Sequence, residues 1–492
     1  MILYIMYITT YTTKFRKLKT MTAFQNSEIK NLTTLVSLLE KNNNIPQSEY
    51  DRFPVKRGLR NSDGTGVMAG LTKVCSVDGY YLYDGERIPM EGRLEFRGVD
   101  IYDIIKGIQN EDRFGYEEVV WLLLFGFLPT KEQLDDFCDL LSSLRELPDD
   151  FIEDMIMKAP SPDIMNKLAC SVLALYSYDD NAEDPSIENI LSQSLGLIAR
   201  MPAIMSYAYQ VKRRHYYRKS MYIHQLNPEQ KTAEMILNSI RPDKKFTDEE
   251  AKLLDILLIL QAEHGGGNNS TFNVRSLSSS GTDTYSAISA GIGALKGPKH
   301  GGANHKVAEM LDDFKANVEN LLDDGQIADH IEKIVKKEAG DRTGLVYGMG
   351  HAVYTLSDPR AVILKEEARK IAETNGCYEE FALIDAIERL TPEVFAKVKK
   401  SNKKISANVD LYSGLIYKIL KIPQDLYTPL FTVARTAGWC AHRIEEILTN
   451  GRIMRPAYKS LALPMNYIPL DERTKDIMEL ADKEYIPIEE RI

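Results

Sequence analysis

Three of the eight histidines stand beside glycine-rich breaks: His264 in AEHGGGNNSTF, His300 in GPKHGGANH (residues 297–305) and His351 in GLVYGMGHAVY. Glycine lets the backbone come close to a ligand and take dihedrals that other residues resist. A histidine set there can reach a small molecule with its ring while main-chain N–H groups meet the same molecule. Such a corner suits proton transfer or hydrogen bonding to a polar substrate. Each string alone is equally readable as a helix C-cap followed by a turn; three of one kind favour the catalytic reading. His215, His224, His305 and His330 have no such setting and read as surface or satisfied core residues.

Arginines are placed with similar economy. Arg360 follows an Asp-Pro turn, Arg435 sits in the otherwise uncharged TVARTAGW, and Arg455 lies in GRIMRP. An arginine on an apolar helix face is costly unless paired. Its fork matches a carboxylate bidentately, so a group of them suits a di- or tricarboxylate ligand, with internal salt bridges as the alternative. The run from Leu345 to Gly350 alternates glycine with bulky residues and would expose main-chain donors and acceptors to a ligand. Asp410 ends NVD ahead of the apolar helix LYSGLIYKILKI, where a plain capping role is the default. Gly291 and Gly293 lack the third glycine and the preceding strand of a dinucleotide fingerprint. No GxxxxGK[ST] or HExxH occurs, and nothing requires a metal.

The elements that must position these groups are mostly helices. TDTYSAISAGIGAL (residues 282–295), just before His300, reads as a close-packed helix. AKLLDILLILQAEH (251–264) is apolar nearly all round, which predicts a helix through the middle of the protein with His264 at its end. From Ile101 onward apolar residues recur at three and four, as in VVWLLLFGFL. Capping candidates stand at Ser161 to Asp163 and Thr391 to Glu393. Residues 61–97 instead carry Asp-Gly signals between short β-branched and aromatic runs, which predicts a hairpin or two. No strand–helix alternation is visible. The fold class is all-α with a minor β-hairpin near the N-terminus. Residues 311–341 and 361–404 are much more charged and read as a smaller, more exposed helical subdomain; the apolar texture returns over 410–448.

A chain of 492 residues with net charge −10, 44% hydrophobic and 27% charged, is an ordinary soluble globular protein long enough for more than one domain. The charge argues against nucleic-acid binding. The run KRRHYYRK (212–219) reads as a solvated helix face or arm. Five cysteines, odd in number and without a CxxC pair, point to reduced thiols in a cytosol. The N-terminal apolar run is too short to span a bilayer, and its basic cluster follows the apolar part, the reverse of a secretory signal. Residues 1–20 read as an unstructured or untranslated extension. A cytoplasmic protein without membrane or nucleic-acid partners is expected.

The ordered set HGGGNNSTF, GPKHGGAN, GMGHAVY, DPR, NVD, ARTAGW and RIMRP resembles the citrate synthase family, citrate and 2-methylcitrate synthases together, from about Asn61 to Pro456. The resemblance implies a nearly all-helical homodimer with an active site shared between subunits. It implies an extension at 1–60, a large domain over 61–297 and 410–492, and a small mobile domain over 298–409. It further implies condensation of acetyl-CoA with oxaloacetate and hydrolysis of citryl-CoA, with no cofactor and no metal. Carried over by position, Asp410 takes the acetyl proton, His300 hydrogen-bonds the thioester oxygen and His351 polarises the keto group of oxaloacetate. His264, Arg360 and Arg435 hold oxaloacetate, and Arg455 reaches in from the other subunit. Leu345, Val346, Tyr347, Gly348, Met349, Gly350 and Asn408 contact CoA. Gly265 and Met349 depart from the common pattern, as does AYKS after Arg455 and Pro456, and they bear on substrate fit. The alternatives are a 2-methylcitrate synthase using propionyl-CoA and, more remotely, a non-catalytic CoA or tricarboxylate sensor. A sensor's expected mark, loss of His300 or Asp410, is absent.

Overall fold

A computed structural model describes residues 36–473, apart from 38, 41, 42, 62, 402, 403, 450 and 463–466. The proposed extension at 1–20 lies outside the described residues. The chain divides into two units, residues 1–68 and 69–492. In the first, helix α1 (Gln47–Arg52) is followed by a 3-10 turn, Arg57–Leu59. Arg57 stacks over Tyr50 at 4.2 Å. The Asp63–Gly64 turn closes an antiparallel bridge between Arg60 and Gly66.

The second unit begins with the hairpin that the Asp-Gly signals predict. β1 (Cys75–Tyr83) and β2 (Glu86–Phe96) are joined by Asp84 and Gly85, both with positive φ (49° and 81°), the requirement of a tight two-residue hairpin turn. A second turn at Arg97 and Gly98 adds β3 (Val99–Asp100), giving an antiparallel sheet in the order β1-β2-β3. Asp100 then caps α2 (Ile101–Asn110). The sheet is a platform for the segment after His351. A Cβ on Gly79 would lie 2.7 Å from the Val353 carbonyl, and one on Gly92 would lie 2.2 Å from the Ser357 carbonyl. Only glycine admits that approach.

Helix dominates the rest. α3 (Tyr116–Phe125), α4 (Lys131–Ser143, with a Thr130–Gln133 capping box) and α5 (Ile164–Leu175, capped by Asp163) precede the long α6 (Ile187–His215). α7 (Thr232–Ile240), α8 (Asp248–Gln261), α9 (Asn269–Ser278) and α10 (Thr284–Lys296) complete the first helical stretch. α11 (Ala303–Asn317), α12 (Asp324–Val335), α13 (Pro359–Asn375) and α14 (Tyr378–Lys399) form the charged region. α15 (Val409–Ile419) and α16 (Tyr427–Leu448) return to the apolar texture. α16 is the central element, packing on α3, α6, α8, α9 and α10 with Trp439 and Arg435 wholly enclosed. Small residues allow this closeness: a Cβ on Gly291 of α10 would meet Val274 at 2.7 Å and Trp439 at 3.1 Å.

The structure corrects two boundaries. The apolar helix expected over 251–264 ends at Gln261, three residues before His264. Thr391 to Glu393 starts no helix, because α14 runs through Pro392. Leu383, Ile384 and Ile387 before the proline and Val394 after it are buried on one face, and that burial outweighs the roughly 3 kcal/mol an interior proline costs. In the charged region the lysines and acids pair between helices, as in Lys315–Glu380 (2.8 Å) and Arg389–Asp324 (2.8 Å). In the run 212–219, Lys212 and Tyr217 both bind Asp425, at 2.6 Å each. No helix among the described residues is long and apolar enough to cross a membrane.

Candidate active site

The floor of the site is set where α8 gives way to α9 beneath α16. Arg435, fully buried on α16, donates through Nε to the Gln261 carbonyl (2.9 Å), which ends α8, and lies over the Phe431 ring at 4.7 Å. Among the described residues its two terminal nitrogens have no hydrogen-bond partner. Burial lowers its pKa to about 10, with Glu263 opposing, so the guanidinium stays charged at neutral pH. Arg360 stands one residue inside α13, after the cap Asp358 and Pro359 at the first helical position. It is matched bidentately by Asp358, Nε to Oδ1 at 3.0 Å and Nη2 to Oδ2 at 2.8 Å. The two buried arginines therefore differ: one has its carboxylate, the other presents open donors.

The three motif histidines converge here. His264, at 7% exposure, meets the His351 ring edge-on at 5.1 Å, and His351 stacks on Tyr354 at 4.7 Å. Val353 and Tyr354 both donate backbone N–H to His351 Nδ1 (3.1 Å each), which puts the proton of the neutral ring on Nε2. Burial, helped by Arg360 and the neighbouring rings, pushes His264 well below the usual histidine range. His300 lies on the turn between α10 and α11, with Nε2 3.0 Å from Asn268 Oδ1 and 3.1 Å from Ser270 Oγ. Burial and the Arg435 charge lower it to about 4. Both rings are neutral at physiological pH.

Asp410 arrives by a different route. Residues 348–350 pair with 406–408 through a Met349–Ala407 bridge, with Gly350 N–H to Ser406 O at 2.7 Å and Asn408 N–H to Gly348 O at 2.9 Å. Asn408 also donates through Nδ2 to Gly350 O (2.9 Å), while its Oδ1 accepts the Asp410 N–H (3.0 Å). Asn408 is thus the helix cap, and Asp410 sits one residue inside the first turn of α15, free of the capping role that was its default. Burial raises Asp410 to about 6, Asp358 adding to the effect and Arg360 and Asn304 opposing it. The His351 loop and the Asp410 helix are one structural unit.

A cavity of about 310 Å³ brings together His264, His300, His351, Arg360, Asn408, Asp410, Arg435 and Gly350. The other residues singled out for CoA do not line it. Leu345 and Tyr347 line a neighbouring hollow of about 210 Å³ beside Lys306 and Asp341. Val346 is buried. Gly348 and Met349 are engaged with 406–408. Arg455 is exposed on an irregular segment outside the cavity.

Several contributors escaped sequence reasoning. Asn268 and Ser270 hold His300, and Trp439 Nε1 donates to Ser270 Oγ (3.2 Å); the clue was their place in the string HGGGNNSTF. Asn304 lines the cavity and donates to Ser413 Oγ at 2.7 Å. Behind the site, Arg275 Nη1 donates to His442 Nδ1 (2.9 Å), and His442 Nε2 donates to Glu263 Oε1 (2.9 Å). Burial would raise the Glu263 carboxyl, but His442, Arg435 and the Gly265 N–H hold it below the usual carboxylate range. The signal for His442 was its position seven residues, two helical turns, after Arg435. Among the described residues no group of His, Cys, Asp and Glu is placed to hold a metal ion.

The family model described as citrate synthase, C-terminal domain, matches residues 61–457. The chain is 34% identical over 428 residues to the citrate synthase of Haloferax volcanii, covering 85% of this chain and 99% of that one. It is also 30% identical over 386 residues to the 2-methylcitrate synthase of Shewanella oneidensis, covering 77% and 92%. The solved citrate synthase of Thermoplasma acidophilum, a ternary complex with carboxymethyl coenzyme A and oxaloacetate, superimposes with a TM-score of 0.69 at 26% identity, covering 85% of this chain and 99% of that one. That of Pyrobaculum aerophilum gives 0.67 at 29% identity, covering 83% and 94%. Fold and relatives define a helical enzyme of the transferase class. The chain belongs to the citrate synthase family.

Proposed function

We propose that the enzyme condenses acetyl-CoA with oxaloacetate and hydrolyses the resulting citryl-CoA to citrate and CoA. The observation that carries this reading is one cavity holding three motif histidines, two buried arginines and an aspartate raised to about 6. Asp410 takes a proton from the acetyl methyl, a very weak acid, while His300 hydrogen-bonds the thioester oxygen on which charge develops. His351, with Nδ1 held by two backbone donors, offers Nε2–H to the keto oxygen of oxaloacetate. Arg435 gives its open terminal nitrogens to a substrate carboxylate, and Arg360 and His264 complete the oxaloacetate site. The neutral His300 ring must carry its proton on Nδ1 to donate there. That requires the Ser270 hydroxyl to turn from Asn268 Oδ1 (2.8 Å) to His300 Nε2 (3.1 Å), and Asn268 Oδ1, which stands 3.0 Å from Nε2 and can only accept, to withdraw from the bare ring nitrogen.

The rest of the assembly is part of the same proposal. The region 298–409 closes over the substrates as a small domain and excludes water from the enolised intermediate. CoA runs along Leu345 to Gly350 and Asn408. Arg455, exposed outside its own chain's cavity, serves the neighbouring subunit of a homodimer. The compartment is the cytosol, which the five free cysteines support. The site needs no cofactor.

Propionyl-CoA is the second reading, supported by the 2-methylcitrate synthase relative. One methylene is worth only about 1–3 kcal/mol of discrimination. The test is thiol release from acetyl-CoA and from propionyl-CoA, each with oxaloacetate and without added metal. Release that needs both substrates is expected; none with either thioester would sink the enzyme reading.

A further inference from the structure

Arg435, with its open terminal nitrogens, faces a substrate carboxylate, but an acyl-CoA poses a further electrostatic problem. At about 310 Å³ the cavity is at the small end of ligand pockets, and a molecule bearing a nucleotide exceeds it. With the thioester against His300, the pyrophosphate and ribose phosphate of CoA must lie beyond the mouth. Lys299, immediately before His300, lines that mouth and is exposed. Its neighbours in sequence are already paired: Lys296 with Asp163 at 3.2 Å and Lys306 with Glu309 at 2.7 Å. Among the described residues no hydrogen bond or ion pair holds the Lys299 ammonium. In a chain of net charge −10, an uncommitted cation at the entrance is a local reversal of sign. A compact, hydrated ammonium on a flexible stem suits a phosphate in an exposed place, as the buried guanidiniums suit carboxylates.

We propose that Lys299 docks the phosphates of the acyl-CoA at the mouth of the His300 cavity, so that charge at this position sets thioester affinity and not oxaloacetate affinity. The inference rests on the functional reading above. Its test compares wild type, Lys299→Gln, Lys299→Glu and Lys299→Arg with acetyl-CoA and with S-acetylpantetheine, which lacks the nucleotide phosphates. At low ionic strength, Lys299→Gln should raise the acetyl-CoA KM about two- to fivefold, the range of an exposed ion pair. Lys299→Glu should raise it further, and Lys299→Arg should keep the wild-type value. The oxaloacetate KM and all constants with S-acetylpantetheine should stay within 1.5-fold, roughly the lower bound of such a pair. Salt near 0.5 M should erase the difference. An acetyl-CoA KM unmoved in both Lys299→Gln and Lys299→Glu overturns the proposal. So does an equal change with S-acetylpantetheine, or a fall in turnover with KM unchanged, which would mark a role in placing His300. A wild type that releases no thiol sinks the functional reading instead. Calorimetric binding of CoA to wild type and Lys299→Glu then decides for Lys299, equal affinities counting against it.

Discussion

Asp410 is where activity and stability pull in opposite directions. Burial lifts its carboxyl to about 6, from an ordinary value of 3.8, so the base the reaction needs is one the fold disfavours in its charged form. The folded pKa lies above the unfolded one, so the penalty is absent below about pH 4 and complete above about pH 6. Asp410→Asn is therefore expected to stabilise the protein at pH 7.5, by up to about 3 kcal/mol, and to leave stability unchanged at pH 4; denaturant unfolding at the two pH values checks this. The same variant should lose at least about a hundredfold in turnover, the low end for a general base. In the wild type, kcat/KM for the thioester should fall as pH drops through about 6. His300, lowered to about 4, should contribute no limb above pH 5. Ser270→Ala removes the hydroxyl that fixes the His300 proton, and turnover should fall about tenfold or more while the oxaloacetate KM stays near wild type, as for a lost orienting partner. An unchanged turnover would show that the Ser270 hydroxyl does not set the His300 tautomer.

At the scale of elements, the site depends on backbone joints more than on any helix. The pairing of 348–350 with 406–408 ties the histidine loop to the N-terminus of α15, and the β1–β2 sheet supports the same loop from beneath. At the first of these joints Gly348 combines φ +81° with a Cβ position 2.8 Å from Leu411. Gly348→Ala should destabilise folding by about 1–3 kcal/mol, the scale of such backbone strain. It should also lower turnover by displacing Asp410, whereas Gly85→Ala, with φ +81° and no atom within 4 Å, should cost stability alone. Kinetics on both variants tests whether this joint is functional. The hairpin was legible because Asp-Gly has a local cause, and the cap Asp163 acts within a few residues of itself; the sequence reading puts the cap of α15 on Asp410, two residues beyond its true position at Asn408. Thr391 to Glu393 misled because the burial on either side of Pro392 comes from helices distant in sequence.

At the scale of the whole molecule, Arg455 makes the sharpest prediction. It stands exposed outside its own cavity, so a site shared between subunits would let two inactive variants complement each other. Mixing Arg455→Ala with Asp410→Asn under conditions that exchange subunits should recover up to about a quarter of wild-type activity from heterodimers carrying one intact site, while each variant alone stays near its own low level. No recovery after exchange is shown would place Arg455 outside catalysis. The order and chemistry of the site were readable from the sequence: three glycine-flanked histidines, one arginine after an Asp-Pro turn, another in an uncharged stretch and an aspartate before an apolar helix need no tertiary information to be noticed. Their convergence was not. Whether Arg435 is a salt bridge or an open donor, and that Glu263 and His442 stand behind the site, depend on residues brought together from more than 150 positions apart; that Asp410 faces a cavity depends on His300, Asn304 and Arg360, which lie on other elements. The sequence by itself determined which groups are present and the local turns that carry them, because those follow from side-chain chemistry and short-range sterics. Only the tertiary structure decided their protonation and free valences, because burial and opposing charge are properties of what packs around a residue.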